Sequence, residues 1–340
     1  MKLAFLTLPE HERKAYIEQA ALRRNLSPVI LEKDFWVCWL LAVLFGSRFA
    51  DALVFKGGTS LSKVFGVIDR FSEDIDLSLS PEFLGLKEDQ GQMSRNQANK
   101  WMKAAESACA TAVRDSIVPD LENAVTVVLG ERAGGWFEYL TDPITNSPVL
   151  LFHYPTAVPT GFAYLKRSVK LEFGSLTDQR PIGRHAVRPW VTEVLEQAFP
   201  DWRCEVVALE LERSFWEKAT ILHAEYHRPS DKPTPDRFSR HYADTAALSQ
   251  HAAAAQALDL DDLRDRVVQW KARFFGSGWA NYDLARPGSF RLVPPSPRQP
   301  ALRRDYQAMR DMYLSEPPHF DQILAALAKL EERINRTEGG

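Results

Sequence analysis

The pattern of apolar and polar positions predicts alternating helices and strands in the first part of the chain. Apolar residues at helical spacing predict helices over 9–26 and 30–46, and a short β-like run at 52–55 follows them. A second strand is predicted at 74–80 and a long helix at 93–117. Between the two strands, a pair of adjacent glycines indicates a tight turn.

Further along the chain, alternating runs predict antiparallel strands, and the pattern then becomes helical. The alternating runs, which turn residues separate, are 124–129, 136–140, 149–154 and 163–173. From Leu211 onward helical spacing dominates, and the proline-containing stretches 229–235 and 286–300 are expected to be loops. We therefore predict an α+β fold, with a core domain of residues 1–205 on a mixed or antiparallel sheet and a C-terminal helical bundle of residues 206–340.

Composition and charge disfavour several classes of protein. The hydrophobic fraction of 45% and the charged fraction of 26% are near globular averages, which argues against general disorder and against a membrane protein. The most apolar stretch, 35–49, is shorter than the roughly 20 residues that a membrane-spanning helix needs, so we expect a buried helix. The start of the chain lacks the features of a secretory signal and the three cysteines are widely spaced, so we expect a cytoplasmic protein. A net charge of -3 argues against a protein that coats nucleic acid.

Two aspartates in the predicted strand at 74–80 are the strongest chemical signal. A strand places Ser72, Asp74, Asp76 and Ser78 on one face and the intervening, mostly apolar residues on the other. Carboxylates this close repel each other unless cations lie between them, which is how two-metal phosphoryl-transfer sites are built. The pattern therefore predicts a magnesium site, with an ordinary amphipathic strand as the alternative.

The glycine turn upstream is suited to a phosphate group. Gly57 and Gly58 can bring backbone amides close to a ligand, and Thr59 and Ser60 can begin a helix whose N-terminus attracts anions. A capped turn without ligand is the alternative for this segment taken alone. Together with the aspartates, the segment predicts a nucleoside triphosphate site.

A third carboxylate is expected on a neighbouring strand. In the run 168–174, Lys170 and Glu172 share the face opposite the apolar side chains, and Glu172 is the candidate metal ligand. The alternative is a solvated face on an edge strand, because one sequence does not fix the register between strands.

Three separated segments resemble the AbiEii/AbiGii family of nucleotidyltransferase toxins, which includes the MenT toxins and belongs to the DNA polymerase beta-like superfamily. The segments are FKGGTSLSKVFGVIDRFSEDIDLSL, LERSFWEKATILHAEYHR and SRHYADTAAL. The resemblance implies that Ser60 engages phosphate and that Asp74 and Asp76 hold magnesium. It also implies that Lys218 and Asp244, from the helical domain, form an essential pair in the cleft.

Local sequence also supports a role for Lys218. Ser214 and Glu217 match a capping box, which would place Lys218 in the first turn of a helix, where a lysine opposes the helix dipole. A triphosphate ligand is thus favoured over a surface ion pair. His223 and His227 lack the order and the third ligand of a zinc site, so solvated or capping histidines are expected.

The predicted function is magnesium-dependent transfer of a nucleoside monophosphate from a triphosphate to an RNA 3′ end, with a tRNA acceptor favoured. By resemblance the protein is a toxin of a toxin–antitoxin or phage-defence system that blocks translation and growth, with a separately encoded antitoxin and no membrane partner. Basic residues in 166–188 and 228–241 could guide RNA, or be scattered solvated charges.

Two other functions stay open. The acceptor could be a protein hydroxyl, including Ser72 of the toxin itself, which matches a serine that is modified in some relatives. Alternatively, the chain could be a regulatory module that binds nucleotide without turnover. The run Glu32-Lys33-Asp34 also resembles the family, and we expect it to serve in capping or packing.

Overall fold

The computed structural model describes residues 4–87, 93–158, 166–195, 199, 202 and 204–336. The chain forms two compact units, each made of separate segments. The first unit comprises Met1–Val64, Ser72–Met93 and Lys100–Ala208, and the second comprises Phe65–Phe71, Ser94–Asn99 and Leu209–Gly340.

The strands of the described residues form one mixed sheet of seven strands. They are β1 (Leu53–Lys56), β2 (Asp74–Leu79), β3 (Phe137–Thr141), β4 (Pro148–Phe152), β5 (Val169–Gly174), β6 (Ile182–Val187) and β7 (Cys204–Leu209). Their order in the sheet is β3-β4-β5-β2-β1-β7-β6, so β2 lies in the interior. Because β2 is antiparallel to β1 and parallel to β5, the sheet has the mixed character that the sequence predicted.

Helices occur in both units. They are α1 (Ala4–Thr7), α2 (Glu10–Arg24), α3 (Pro28–Phe45), α4 (Gly57–Lys63), α5 (Arg95–Ala112), α6 (Val118–Leu129), α7 (Trp190–Val194), α8 (Leu211–Tyr226), α9 (Ser239–Gln250), α10 (Ala252–Leu258), α11 (Asp261–Phe274), α12 (Gln299–Ala308) and α13 (Phe320–Asn335). A π-helical turn, Val113–Ile117, joins α5 to α6. The predicted helices at 9–26 and 30–46 are confirmed as α2 and α3.

Helix α3 lies in the core of the first unit. Every residue from Ile30 to Leu41 is buried, and the ring of Trp36 stacks on Tyr154 with 5.7 Å between centroids. A helix that is apolar on all sides is stable only when other elements cover it completely. The expectation of a buried helix at 35–49 is therefore confirmed over the part of that stretch within α3.

The strand predicted at 124–129 is wrong, because these residues belong to α6. Leu121 and Val125 are buried, four residues apart, while Val127 is 68% exposed. This spacing buries one face of a helix, whereas the valine-rich composition is typical of a strand. Packing of the Leu121–Val125 face outweighed the local β preference.

The other predicted strands have mixed outcomes. Those at 136–140 and 149–154 are confirmed as the antiparallel pair β3 and β4. The one at 163–173 is confirmed from Val169 onward, while 163–165 lie outside the described residues. Strands β6 and β7 were not predicted, and β6 lies at an edge of the sheet with largely exposed residues that give a weak apolar signal.

The second unit is mainly helical, which confirms the predicted α+β fold with a helical C-terminal part. In α13 the buried residues Ile323, Leu327, Leu330 and Ile334 follow helical spacing, and this helix packs against α9. No helix within the described ranges is both long enough and apolar enough to cross a membrane.

Candidate active site

Two aspartates lie on one face of β2. Ile75 and Leu77 are fully buried, whereas Asp74 and Asp76 are partly exposed. Successive residues of a strand point to opposite faces of the sheet, so the apolar pair packs into the core and the carboxylates share the other face. The predicted alternation is confirmed from Asp74 to Leu77, while Ser72 precedes β2 and Ser78 is fully buried.

The register between β2 and β5 brings a third carboxylate to this face. Asp76 is the cross-strand neighbour of Glu172, and Asp74 is the neighbour of Lys170. Lys170 Nζ donates a hydrogen bond to the carboxylate of Glu172, and the two side chains are 33% and 36% exposed. The structure thus places Glu172 beside Asp76, a proximity that the sequence alone left open.

The charges on this face repel one another. Burial raises the pKa of Asp74 to about 6, and the carboxylates of Asp76, Glu73 and Glu172 add to the rise, while the Lys170 ammonium opposes it. The negative form of Asp74 therefore lacks sufficient compensating positive charge. Carboxylate oxygens are the ligands that a hard divalent cation prefers, so this donor set fits such an ion.

The described residues do not by themselves supply a full set of ligands for a metal ion. Among the described residues, no three His, Cys, Asp or Glu side chains are grouped so that they could hold a metal ion. Magnesium is commonly bound by one or two carboxylates together with substrate phosphates and water, and Asp74 and Asp76 fit that pattern. Glu172 as a metal ligand stays a prediction, since its carboxylate pairs with Lys170.

Gly57, the first residue of α4, lies directly against Asp76. Its φ of +81° falls in the left-handed region that favours glycine, and a Cβ at this position would lie 1.9 Å from Oδ2 of Asp76. No other residue type fits here without moving the Asp76 carboxylate. The glycine turn and the carboxylate pair, which the sequence predicts to act together, are therefore in contact.

Two buried hydroxyl groups fix the start of α4. Thr59 Oγ1 donates a hydrogen bond to the carbonyl oxygen of Asp74, which ties α4 to β2. Ser60 Oγ donates to the carbonyl oxygen of Gly57 at 2.9 Å, and both hydroxyl residues are fully buried. Ser60, Thr59 and the partly exposed Ser72 as nucleotide ligands stay predictions.

In the second unit, Asp244 binds two cations. Arg70 contacts its carboxylate through Nε and Nη2, each at 2.9 Å, and Lys218 Nζ lies 2.7 Å from Oδ2. The side chains are nearly buried, with exposures of 1% for Asp244, 7% for Arg70 and 11% for Lys218. Lys218 and Asp244, which the family resemblance implies to be an essential pair, are therefore in direct contact.

This cluster carries an excess of positive charge. Burial by itself would raise the pKa of Asp244, but the charges of Arg70 and Lys218 outweigh burial and hold the pKa below its usual value. Burial lowers the pKa of Lys218, against the opposing effect of Asp244. Two cations and one carboxylate leave one net positive charge, which favours an anionic ligand such as a phosphate group.

The predicted capping box at Ser214 and Glu217 is wrong. Helix α8 begins before Ser214, with Glu210 at its N-cap, and the Ser214 N–H donates to the Glu210 carbonyl at 3.0 Å. Glu217 instead forms ion pairs with two neighbouring cations. Lys218 therefore lies beyond the first turn, and its position is set by Asp244 rather than by the helix dipole.

His223 has a structural role in the second unit. Its Nε2 lies 3.0 Å from the Asn281 carbonyl oxygen, and its Nδ1 accepts a hydrogen bond from the Arg291 N–H at 3.1 Å. Both ring nitrogens are therefore used in protein hydrogen bonds. Burial lowers the pKa of His223 to about 4, which keeps the ring neutral at pH 7.

Sequence reasoning missed Arg70. This arginine lies four residues before Asp74 along the chain, within the first of the segments that carry the family resemblance. A single arginine in the largely apolar stretch 64–71 is a signal for a buried ion pair, but its partner is 174 residues away along the chain. Only the folded structure identifies Asp244 as that partner.

Residues 39–326 match the family described as "Nucleotidyl transferase AbiEii toxin, Type IV TA system". The chain belongs to this AbiEii family. The matched range contains the glycine turn, the carboxylates of β2 and β5, and the Lys218–Asp244 pair, so the family assignment covers all the candidate site residues. The protein is therefore a nucleotidyltransferase.

Comparison with individual proteins gives a distant structural likeness. The fold is similar to that of MenT4, a nucleotidyltransferase toxin from Mycobacterium tuberculosis H37Rv, at 18% sequence identity and a TM-score of 0.44. The aligned regions cover 93% of this chain and 98% of that one. Among curated proteins, no sequence matches the chain.

Membership of the AbiEii family has consequences for substrate and partner. A nucleotidyltransferase takes a nucleoside triphosphate as substrate, and a toxin of a type IV toxin–antitoxin system has an antitoxin as its partner. Nucleotidyltransferase families generally use divalent metal ions, which agrees with the donor set of Asp74 and Asp76.

Proposed function

We propose that this AbiEii-family toxin transfers a nucleoside monophosphate from a triphosphate to an RNA 3′ end, in a magnesium-dependent reaction. The supporting observation is the contact between the Gly57 turn and the carboxylate face of β2, which offers a phosphate subsite next to a cation subsite. A tRNA acceptor is favoured, as the resemblance implies. The hydroxyl oxygen of the acceptor forms a bond to the α-phosphorus, and the bond to pyrophosphate breaks.

Each candidate residue has a role in this scheme. Asp74 and Asp76 would hold magnesium together with the substrate phosphates, with Glu172 as the candidate third ligand, and the ion would stabilise the charge that develops on the phosphoryl oxygens and on the leaving pyrophosphate. One of these carboxylates would accept the proton of the attacking hydroxyl. Backbone amides at Gly57 and Gly58, with the hydroxyls near them, would orient the triphosphate.

Lys218 is proposed to contact the triphosphate, with Asp244 as its positioning residue. Asp244 is held by Arg70 through two hydrogen bonds, so it fixes the ammonium group of Lys218 in one place. A cation held in one place contributes more to transfer than a mobile one, because no reorganisation is needed during the reaction.

Exposed basic residues near the start of β5 support an RNA acceptor. Lys166 and Arg167 are exposed and precede β5. The Lys33 ammonium donates hydrogen bonds both to the Lys166 carbonyl oxygen and to the carboxylate of Glu73, the residue before β2. Basic side chains next to the start of the carboxylate strand are suited to the phosphate backbone of RNA. We propose that the toxin acts on tRNA in the cytoplasm, blocks translation and growth, and thereby serves in phage defence until its antitoxin counteracts it.

A second candidate acceptor is a protein hydroxyl. Ser72 is partly exposed and lies two residues before Asp74 in the same strand-like alternation, so its own hydroxyl is a possible acceptor. The product would then be labelled protein rather than labelled RNA.

One experiment separates these acceptors. Each of the four α-labelled nucleoside triphosphates is incubated with the protein, magnesium, total RNA and cell extract, and the label is followed into RNA and protein. We expect labelled RNA, and loss of label in chelator and in Asp76→Asn. Glu82→Gln, at an exposed carboxylate, serves as the control and should label RNA normally. Labelled protein alone would favour the second acceptor, and transfer by folded Asp76→Asn would contradict the assigned site.

A further inference from the structure

Three consecutive charged residues are buried in the otherwise apolar helix α3. Glu32, Lys33 and Asp34 are 3%, 1% and 1% exposed. Consecutive helical residues point about 100° apart, so the three side chains reach different neighbours. A buried charge costs several kcal/mol unless it is paired and hydrogen-bonded, and each of the three has a partner.

Lys33 is bound to the residue that precedes the carboxylate strand. Its Nζ donates hydrogen bonds to the carboxylate of Glu73 and, at 2.9 Å, to the carbonyl oxygen of Lys166. Glu73 is adjacent to Asp74, and its side chain is 12% exposed. Lys33 therefore fixes the backbone where β2 begins.

Asp34 is bound to the helix that starts at the glycine turn. Its Oδ1 lies 2.7 Å from Nζ of Lys63, the last residue of α4, and its Oδ2 accepts a hydrogen bond from the Trp190 N–H at 2.6 Å. The Lys63 ammonium also lies 4.3 Å from the centre of the Trp190 ring. The side chains of Lys63 and Asp34 are 3% and 1% exposed, so Asp34 fixes the end of α4 within the core.

Both halves of the candidate site are thus tied to neighbouring residues of α3. The halves also touch directly, since Gly57 leaves no room beside Asp76 and Thr59 is bonded to the Asp74 carbonyl. Stability alone does not require such ion pairs, because apolar residues of similar size in place of a buried pair are often as stable or more so. A displacement of about 1 Å can cost a reaction about a hundredfold in rate, so fixed spacing between the halves has a functional use.

We propose that Lys33 and Asp34 are positioning residues for nucleotidyl transfer, which hold the glycine turn and the carboxylate strand at the spacing that a magnesium–triphosphate complex requires. This inference rests on the proposed function of the site. Neither residue touches the substrate, and each acts through its partner, Glu73 or Lys63.

The test removes one buried pair without leaving a charge behind. In Lys33→Met/Glu73→Gln neither partner is charged, so we expect the melting temperature to stay close to that of the wild type. The matched control is Arg291→Met/Glu331→Gln, which removes an ion pair of 3.2 Å whose carboxylate is 17% exposed and to which no role in transfer is assigned.

Two readouts are measured for both double variants and the wild type. The first is the affinity for a nucleoside triphosphate with and without magnesium, and the second is kcat for transfer. We expect the first double variant to bind triphosphate normally without magnesium, but to lose about tenfold or more of the magnesium-dependent gain in affinity, equivalent to about 1.4 kcal/mol. Its kcat should fall about tenfold or more, while the control stays at the wild-type level.

The measurements on the Lys33–Glu73 pair decide whether Lys33 is a positioning residue. A folded Lys33→Met/Glu73→Gln variant with wild-type magnesium-dependent affinity and kcat overturns the positioning role. If this variant fails to fold, Glu73→Asp provides the measurement, since it keeps both charges and shortens the link by one methylene. Glu73→Asp should then show the same loss of magnesium-dependent affinity and of kcat. Wild-type values of both quantities in Glu73→Asp would overturn the inference. Failure of the proposed function is distinguishable, because the wild type itself would then show no transfer.

Discussion

At the scale of single residues, two lysines of the second unit occupy closely similar surroundings. Lys218 shares the carboxylate of Asp244 with an arginine, and Lys271 shares the carboxylate of Glu217 with another arginine. Removing either lysine leaves its carboxylate paired with the arginine, so the stability cost should be small in both. A comparison of variants at the two lysines therefore separates a role in transfer from a role in stability.

We expect Lys218→Met to lower kcat/KM for transfer about tenfold to a hundredfold, since a charge-assisted hydrogen bond is worth about 1.5–3 kcal/mol. The melting temperature should change by only a few degrees, because Asp244 keeps its two hydrogen bonds from Arg70. Lys271→Met is the matched control and should retain wild-type transfer. Kinetics and thermal melts of both variants check this. Equal transfer activity in Lys218→Met and Lys271→Met would mean that Lys218 has only a structural role. Lys218→Arg should rescue only partly, because a guanidinium is not a compact point charge.

Gly57 allows a second test at a single position. Gly57→Ala places a methyl group 1.9 Å from Asp76 Oδ2 and strains a backbone with φ +81°, so we expect loss of transfer and a lower melting temperature. Gly130→Ala is the matched control, because Gly130 has φ +85° in the same unit and nothing lies within 4 Å of its added Cβ. The melting temperature of Gly130→Ala should fall because of backbone strain, but each folded molecule should transfer nucleotide at the normal rate. Equal effects on transfer in the two variants would contradict the contact with Asp76 as the cause.

At the scale of elements, the pairing of β2 with β5 decides which carboxylates meet. The parallel register places Glu172 beside Asp76 and Lys170 beside Asp74. A shift of the register by one residue would turn Glu172 to the apolar face, so the buried residues Val169, Leu171 and Phe173 fix the register through packing.

The variant Glu172→Gln tests whether the carboxylate that this register places beside Asp76 contributes to transfer. If Glu172 helps to hold magnesium, the variant should transfer about tenfold or more slowly and need more magnesium for half-maximal activity. Glu205→Gln is the control, since Glu205 is also a strand glutamate paired with a basic residue, Arg184. A magnesium titration of transfer for both variants decides the point. Identical titrations in Glu172→Gln and the wild type would leave Glu172 as the ion-pair partner of Lys170 only.

At the scale of the whole molecule, the free energy of unfolding depends on pH through groups such as His223. Burial lowers its pKa from the usual 6.5 to about 4, and the neutral ring bonds to the Asn281 carbonyl and the Arg291 N–H. Below pH 6.5 the unfolded chain binds this proton more readily than the folded protein does. His223 therefore contributes stability that is fully present above about pH 6.5 and is lost as the pH falls towards 4.

We expect the free energy of unfolding to fall between pH 7 and pH 4. Up to about 3 kcal/mol of the loss is due to His223, because a tenfold change in proton affinity corresponds to about 1.4 kcal/mol. His223→Gln, which cannot titrate, should lose correspondingly less over the same range. Denaturant unfolding of both proteins at several pH values measures the difference. Parallel pH profiles would show that His223 does not titrate differently in the folded and unfolded states. Both proteins contain the same other titrating groups, so the contributions of those groups cancel in the comparison. One of them is Asp74, whose raised pKa makes the folded state more stable as the pH falls.

The sequence by itself determined the local parts of the site. The alternation of Asp74 and Asp76 with buried residues, the adjacent glycines before α4 and the helical spacing after Leu211 are short-range patterns, and each predicts its element from residues close together in the chain. The family segments connected these parts to nucleotidyl transfer. Where local composition and packing disagreed, as in the valine-rich end of α6, the sequence pattern predicted the wrong element.

Only the tertiary structure decided which distant residues meet. The partners of Lys33, Asp34 and Arg70 lie far along the chain, and no periodicity links them. The capping box at Ser214 was wrong because the start of α8 was set by residues outside that pattern. Strand register and buried ion pairs depend on how the elements pack, since a carboxylate can be buried only where a fold brings a cation to it.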